Sequence, residues 1–131
     1  MHGNVWRTFN YDQKPYGWKG KWTEKGKVGL MEGTHGRSYG LVTVDRSGDR
    51  LSLSVEEIRL SIGRMYSCAE FYAPHTKFLV AYTDKKTNLN GYTSEELAYM
   101  FATARPKVGI PPNVFFHESF ARLLTNQISL L

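Results

Sequence analysis

The sequence predicts a mixed α+β domain, with a small antiparallel sheet between about residues 17 and 83, one helix at about 55–72 and two helices at the C-terminus. A chain of 131 residues with 41% hydrophobic residues has the size and balance of one globular domain. Runs of β-branched and aromatic residues are typical of strands, and two capping motifs indicate helix starts. We therefore treat 1–131 as a single domain in which 1–16 form an irregular basic and aromatic arm.

Composition limits the classes of function. The chain carries 17 Lys and Arg against 12 Asp and Glu, a net charge of +5 that favours anionic partners. The single cysteine, Cys68, excludes an intrachain disulfide and a cysteine-rich zinc site. No apolar run approaches the ~18 residues of a membrane span, and the first residues lack the pattern of a secretory signal. We expect a cytoplasmic protein that does not enter a membrane.

The strongest strand signal is a hairpin. Aromatic and β-branched residues fill 39–44, a tight reversal at 47–49 follows, and 51–53 return as the partner strand. Further strands are predicted from alternation or from short apolar runs at 17–22, 28–31 and 77–83. Together these segments make up the predicted antiparallel sheet.

The central helix is predicted from its cap and its spacing. Ser54 and Glu57 fit a capping box, in which each side chain bonds the main-chain amide of the other residue. Apolar residues then recur at helical spacing up to Tyr72, and Pro74 stops the helix. A helix over about 55–72 follows.

An alternative interpretation makes 51–62 a second hairpin, because apolar residues also alternate there. With that hairpin, the order of strands followed by two helices is similar to that of the coat proteins of single-stranded RNA bacteriophages. The resemblance lies in element order alone, and it implies a dimer that binds RNA on its sheet. A hairpin followed by a capped helix is likewise similar to small single-stranded-DNA-binding coactivators.

Two helices close the chain. Thr93 and Glu96 repeat the capping box and open a helix to about Ala104, which Pro106 ends. Asn113 is expected to cap the last helix. Its apolar face consists of Phe116, Phe120, Leu123, Leu124 and Ile128. The apolar chain end needs a cover, which is consistent with a homodimer.

The N-terminal third carries the strongest functional signal. Residues 1–27 hold a net charge of +4 and all three tryptophans. Cations hold the phosphates of single-stranded nucleic acid while aromatic rings stack on its bases. Arginines around the predicted hairpin add a second basic group. The sequence therefore predicts non-catalytic binding of single-stranded DNA or RNA by Tyr16, Trp18, Lys19, Lys21, Trp22, Arg37, Tyr39, Arg46 and Arg50.

Other interpretations of the same residues stay open. The aromatics would also suit the core of an edge hairpin, with the lysines solvated. An acidic protein surface would suit exposed cations and aromatics, as in a viral or phage effector. A ribonuclease would need His35 with Arg37 and His75 with Lys77 in one place. The chain has no phosphate-binding loop, dinucleotide fingerprint or nucleophile elbow, so we expect no cofactor and no metal.

Overall fold

The fold is known from a computed structural model, which describes residues 5–9, 32–35, 37–44, 49–80, 82 and 90–130. Strands and helices alternate along most of this part of the chain, which confirms the mixed α+β class. The elements are β1 (Val5–Phe9), β2 (Gly33–His35), β3 (Ser38–Gly40), α1 (Val55–Tyr72), β4 (Lys77–Val80), α2 (Ser94–Thr103), β5 (Val114–Phe116) and α3 (Glu118–Ser129).

The sheet is mixed and mainly parallel. Its strand order is β2-β3-β1-β4-β5. β1 lies at the centre and runs parallel to β3 and β4, and β4 runs parallel to β5. β2 alone among these strands is antiparallel, paired with β3. The predicted antiparallel direction is therefore wrong for three of the four pairings. α1 carries the chain from β3 to β4 and α2 carries it from β4 to β5, and such long crossovers are what parallel strands need.

The predicted N-terminal arm contains the central strand. In β1, Arg7 is level with Ser38 of β3 on one side and with Leu79 of β4 on the other. Residues 5–9 are thus no irregular arm. The pairing partners lie about 30 and 70 residues further along the chain, so no local pattern indicates them. The predicted strands at 17–22 and 28–31 lie outside the described residues.

The predicted hairpin of 39–44 with 51–53 is wrong. β3 ends at Gly40, and its neighbours are β1 and β2. Beyond it, the amide of Val42 donates to Ser61 Oγ of α1 at 3.2 Å. The segment 51–53 forms no strand. The alternative hairpin over 51–62 is also not found, since α1 begins at Val55, and the element order that resembled the phage coat proteins disappears with it.

Both predicted capping boxes are present, and both helices begin where expected. The amide of Glu57 donates to Ser54 Oγ at 3.1 Å, and the Ser54 amide donates to a Glu57 carboxylate oxygen at 2.9 Å. Thr93 and Glu96 make the same pair of bonds at the start of α2. Local sequence is sufficient here because a capping box is closed within four residues.

The last helix begins later than predicted. Val114–Phe116 form the edge strand β5, and His117, not Asn113, is the N-cap of α3. The side-chain amide of Asn113 instead donates at 2.8 Å to the carbonyl oxygens of Ala69 and Thr76. Asn113 therefore fastens the end of α1 to the start of β4.

The core lies between the sheet and the three helices. Ile62 and Met65 of α1, Phe78 of β4, Met100 of α2 and Phe120 of α3 are almost fully buried. Each such side chain contributes roughly 1.5–3 kcal/mol by leaving water. Along the chain each of the three helices follows the carboxyl end of a strand, α1 after β3, α2 after β4 and α3 after β5. No helix in the described part of the chain is long and apolar enough to cross a membrane.

Candidate functional site

One edge of the sheet collects the ends of the four parallel strands, and we call it the carboxyl edge. β1, β3, β4 and β5 end there at Phe9, Gly40, Val80 and Phe116. In open sheets with helical crossovers, ligands bind outside this edge where neighbouring connections diverge. After β1 the chain passes to β2 and β3 on one side, and the connection after β4 leads to β5 on the other. The divergence therefore lies between β1 and β4.

Two loops are tied together beyond this point. The amide of Leu51 donates to the carbonyl oxygen of Asn90 at 2.8 Å. The Tyr92 hydroxyl donates to the carbonyl oxygen of Leu53 at 2.6 Å, and the Tyr92 amide donates to Asn90 Oδ1 at 3.0 Å. These bonds join the approach to α1 (49–54) to the approach to α2 (90–93). The two loops form one hydrogen-bonded unit, which we call the loop pair.

Leu51 is an unusual member of the loop pair. Its φ is +58°, a conformation that glycine and asparagine adopt readily and leucine rarely. Its side chain is 60% exposed. A Cβ placed on Gly91 would lie 2.9 Å from Leu51 Cγ, so the glycine makes room for the leucine. The loop pair thus presents an apolar side chain to solvent on a constrained main chain.

An aromatic group lines the ends of β4 and β5. The Tyr82 ring lies 4.9 Å from the Phe120 ring and 5.8 Å from the His117 ring, and its hydroxyl donates to Ser94 Oγ at 3.3 Å. His117 Nδ1 accepts from the Ser119 amide at 3.2 Å. In the neutral ring, Nε2 then carries the proton and is a donor. This group can offer one N–H donor and part of an aromatic face.

The helix starts at this edge are acidic. Glu56 and Glu57 lie in the first turn of α1, Glu95 and Glu96 in that of α2, and Glu118 in that of α3. Carboxylates suit the positive end of the helix dipole but repel phosphate. The helix N-termini of the described chain are therefore poor phosphate sites, and cations for an anionic ligand must come from elsewhere.

The described residues are close to neutral. They contain nine Lys and Arg against eight Asp and Glu, whereas the remaining residues contain eight against four. Ion pairs with acids engage Arg59 with Glu56, Arg64 with Glu32, Arg105 with Glu70, and Arg122 with Glu118. Most of the net positive charge thus belongs to segments outside the described residues.

Three of these segments join the described chain at the carboxyl edge. Five of their six flanking residues stand at or after the carboxyl end of a parallel strand. The sixth, Glu32, directly precedes Gly33, which is paired with Gly40 at the carboxyl end of β3. The segments are 10–31 between Phe9 and Glu32, 45–48 between Val44 and Asp49, and 83–89 between Tyr82 and Asn90. Their net charges are +3, 0 and +1. The excess of cations is therefore attached along one edge of the sheet.

The sequence-predicted site residues fall into three groups. Tyr16, Trp18, Lys19, Lys21, Trp22 and Arg46 lie outside the described residues. Arg37 and Arg50 are both exposed, but they lie at opposite ends of β3. Arg37 immediately precedes the strand, whereas Arg50 follows it and adjoins Leu51, which is bonded to Asn90. The structure does not bring these two arginines together.

Tyr39 is a core residue, which corrects its prediction as a binding residue. Its side chain is 4% exposed, and its ring lies 6.2 Å from that of Phe78. Burial, helped by the nearby Glu32 carboxylate, raises the pKa of the Tyr39 hydroxyl to about 12. Alternation along β3 could not reveal this, because the buried face depends on which helices cover the sheet.

A second cluster lies beside Tyr39. Arg64 of α1 holds Glu32 in a two-pronged ion pair, with Nε at 2.6 Å and Nη2 at 2.8 Å from the two carboxylate oxygens. Ser61 Oγ donates to Glu32 at 3.2 Å. The bond from Arg64 holds the pKa of the Glu32 carboxyl below its usual value. The cluster ties the chain before β2 to α1, which is a structural role.

A shallow cavity of about 290 Å³ adjoins this cluster. It is lined by Val42, Leu53, Glu57, Leu60, Ser61 and Arg64. Its charged members are already engaged, Glu57 in the cap of α1 and Arg64 with Glu32. The cavity therefore offers few polar groups to a ligand, and the carboxyl edge is the stronger candidate.

The histidines proposed for a ribonuclease are not neighbours. His35 lies on β2, and His75 lies two residues before β4. β3 and β1 separate these strands, a distance of about 14 Å at the usual strand spacing. His117 lies between the end of β5 and the start of α3, at the carboxyl edge. In the described part of the chain, no three His, Cys, Asp or Glu side chains are grouped for a metal ion.

In comparisons with known proteins, the chain matches no protein-family model, no characterised protein and no solved structure. The candidate site therefore depends on topology and contacts alone. Sequence reasoning missed Leu51, Tyr82 and His117. For Tyr82 and His117 the available signal was a polar or aromatic residue soon after a strand, which becomes informative only when the strands are known to be parallel. Leu51 carries no such signal.

Proposed function

We propose that the protein binds single-stranded nucleic acid, without catalysis, along the carboxyl edge of the sheet. One observation carries the proposal: of the segments outside the described residues, 10–31, 45–48 and 83–89 together hold a net charge of +4, and all three are attached at that edge. Phosphate contacts need several cations acting together, and the points where these cation-bearing segments join the described chain all lie at that edge. We infer a cytoplasmic location, where such a ligand is present.

The roles follow from residue chemistry. Arg50 comes after the carboxyl end of β3 in the chain and is exposed. We propose that it contacts a phosphate. The same role is proposed for the lysines and arginine of the attached segments, Lys19, Lys21 and Arg46. The aromatic residues of 10–31, namely Tyr16, Trp18 and Trp22, are proposed to stack on bases. Tyr39 has no part in this proposal because its ring is buried, and Arg37 has none because it lies before β3, at the opposite end.

A single strand is favoured over a duplex. Duplex readers commonly place a basic helix in the major groove. The three helices described here start with acidic residues, and their arginines Arg59, Arg64 and Arg122 are paired with acids. A single strand can instead follow an edge and expose its bases to side chains there.

The test is a titration of a labelled single-stranded oligonucleotide, followed by anisotropy and by tryptophan fluorescence, at about 50 and 200 mM salt. Binding should weaken steeply at the higher salt, because each neutralised phosphate releases counterions. A duplex of the same sequence should bind more weakly. Absence of binding at both salt concentrations would overturn the proposal and direct attention to an acidic protein partner.

Matched arginine variants locate the contact. Arg50→Gln should weaken binding and lower the salt slope by about one, since one phosphate contact is lost. Arg37→Gln removes the same charge from the opposite end of β3 and should leave the affinity for the oligonucleotide within about twofold of the wild-type affinity. Equal losses for the two variants would mean that net charge alone governs binding and that the carboxyl edge is not the site.

A further inference from the structure

Leu51 combines an unfavourable main chain with an unburied side chain. Among the described residues, it alone has a positive φ without being glycine. Residues held in such conformations persist when the surroundings enforce them, and they cluster at ligand-binding sites. Burial does not explain the choice of leucine, because the side chain is 60% exposed. Glycine or asparagine would satisfy the same main chain at lower cost.

The surrounding structure enforces this conformation. The Leu51 amide is bonded to the carbonyl oxygen of Asn90, and the side chain lies over Gly91, which itself has a φ of +94°. A second hydrogen bond joins the same two loops, because the Tyr92 hydroxyl donates to the carbonyl oxygen of Leu53. The main chain of Leu51 is therefore held in place before a ligand binds, so its ordering costs little conformational entropy on binding.

The position of Leu51 suits one part of a nucleic acid. Arg50 precedes it in the chain and both residues are exposed, so the loop pair offers a cation and an apolar side chain at consecutive positions. A nucleotide presents the complementary pair of groups, a base with an apolar face and a phosphate that is joined to it through the sugar. The exposed acids that accompany Leu51, Asp49 and those of the helix starts, disfavour a ligand made of phosphate alone.

We propose that Leu51 is a base-contacting residue of the binding edge, packing against the face of a nucleobase while Arg50 holds an adjacent phosphate. This inference rests on the proposed function. It adds that base contact at this edge comes from a described aliphatic side chain, in addition to the aromatics of 10–31. It also implies that the leucine is retained for its contact and at the expense of fold stability.

The test compares a single-stranded oligonucleotide with an abasic oligonucleotide of equal length and charge. In the wild-type protein the normal strand should bind more tightly than the abasic strand. Leu51→Asn, which tolerates the left-handed conformation, should weaken binding to the normal strand by about fivefold and leave abasic binding unchanged. Arg50→Gln should weaken both. Leu60→Ala removes an equally exposed leucine from α1 and should change neither.

Stability and binding should move in opposite directions. Leu51→Gly and Leu51→Asn are expected to unfold at urea concentrations equal to or above that of the wild type, while both lose base-dependent affinity. If the wild type binds the oligonucleotides, and Leu51→Gly and Leu51→Asn bind the normal and the abasic strand with wild-type affinities, the inference is overturned and the proposed function stands. If the wild type binds neither strand, both are overturned. A lower urea midpoint for Leu51→Asn would show that the leucine serves the fold.

Discussion

Leu51 and Gly91 interlock across the loop pair: both have positive φ angles, and a Cβ on Gly91 would lie 2.9 Å from Leu51 Cγ and 3.0 Å from the Leu51 amide nitrogen. Real Cβ atoms do not approach other atoms so closely. A side chain at 91 would therefore force Leu51 to shift, next to the bond between the Leu51 amide and the Asn90 carbonyl oxygen. That hydrogen bond holds the two loops together at the edge where the basic segments attach.

Gly91→Ala should therefore destabilise the protein more than a substitution that only strains the main chain. Gly109 is the matched control, because its φ is +82° and nothing lies within 4 Å of its would-be Cβ. Gly109→Ala should cost about 1–2 kcal/mol of unfolding free energy. Gly91→Ala should cost about 1–3 kcal/mol more, as for an overpacked site. Urea unfolding measures both, and equal costs would mean that the loop pair yields easily.

Tyr39 should behave as a core residue. Tyr39→Leu keeps the position apolar with a smaller side chain and is expected to lower the unfolding free energy by about 1–2 kcal/mol. Oligonucleotide affinity of the folded variant should be unchanged, since the ring is 4% exposed and faces Phe78. Unfolding and anisotropy titrations separate the two effects. Lost affinity with unchanged stability would return Tyr39 to the binding surface.

The pair of Glu32 with Arg64 predicts a pH dependence. The pKa of the Glu32 carboxyl is lowered in the folded state, chiefly by its bond from Arg64. A lowered pKa stabilises the fold above the ordinary carboxyl pKa of 4.5, and this contribution is lost as pH falls through the lowered value. Glu32→Gln should cost about 1 kcal/mol at pH 7, and the difference from wild type should shrink toward pH 3.

Glu118→Gln is the control for that experiment. Glu118 pairs with Arg122 at 3.4 Å on the exposed face of α3, where solvent screens the interaction. Its unfolding free energy should stay close to that of the wild type at either pH. Urea midpoints at pH 7 and pH 3 suffice for both variants. A cost for Glu32→Gln that is equal at the two pH values would contradict the assigned cause.

Asn113 should be a strong anchor of the fold. Its side-chain amide donates to two carbonyl oxygens, those of Ala69 and Thr76, and the residue is buried. Asn113→Ala leaves both oxygens without this donor and should cost about 2–3 kcal/mol. Asn126→Ala, on the exposed face of α3, should change stability by less than about 0.5 kcal/mol. Thermal or urea unfolding of the two variants tests the contrast.

The helices were more predictable than the strands for a physical reason. α1 and α2 begin at capping boxes whose two bonds lie within four residues, so the signal is contained in the local sequence. β1 and β5 are five and three residues long, and they are strands because β4 lies beside each of them. A pairing partner 70 residues away leaves no mark in a local pattern.

The candidate site was predictable only in its chemistry. The concentration of cations and tryptophans in 1–27 can be read directly from the chain and remains the basis of the proposed function. Leu51 could not be chosen from the sequence, because an exposed leucine in a turn is ordinary until its φ and its contact with Gly91 are known. Arg37 and Arg50 looked equivalent until β3 separated them.

The mixed class, the starts of α1 and α2 and the excess of positive charge follow from the amino-acid sequence. The direction of the strands, the burial of Tyr39 and the edge at which the basic segments attach follow from the folded chain. Caps and charges depend on neighbours along the chain. Strand direction and burial depend on contacts between residues far apart, which exist only after the helices have crossed from one strand to the next.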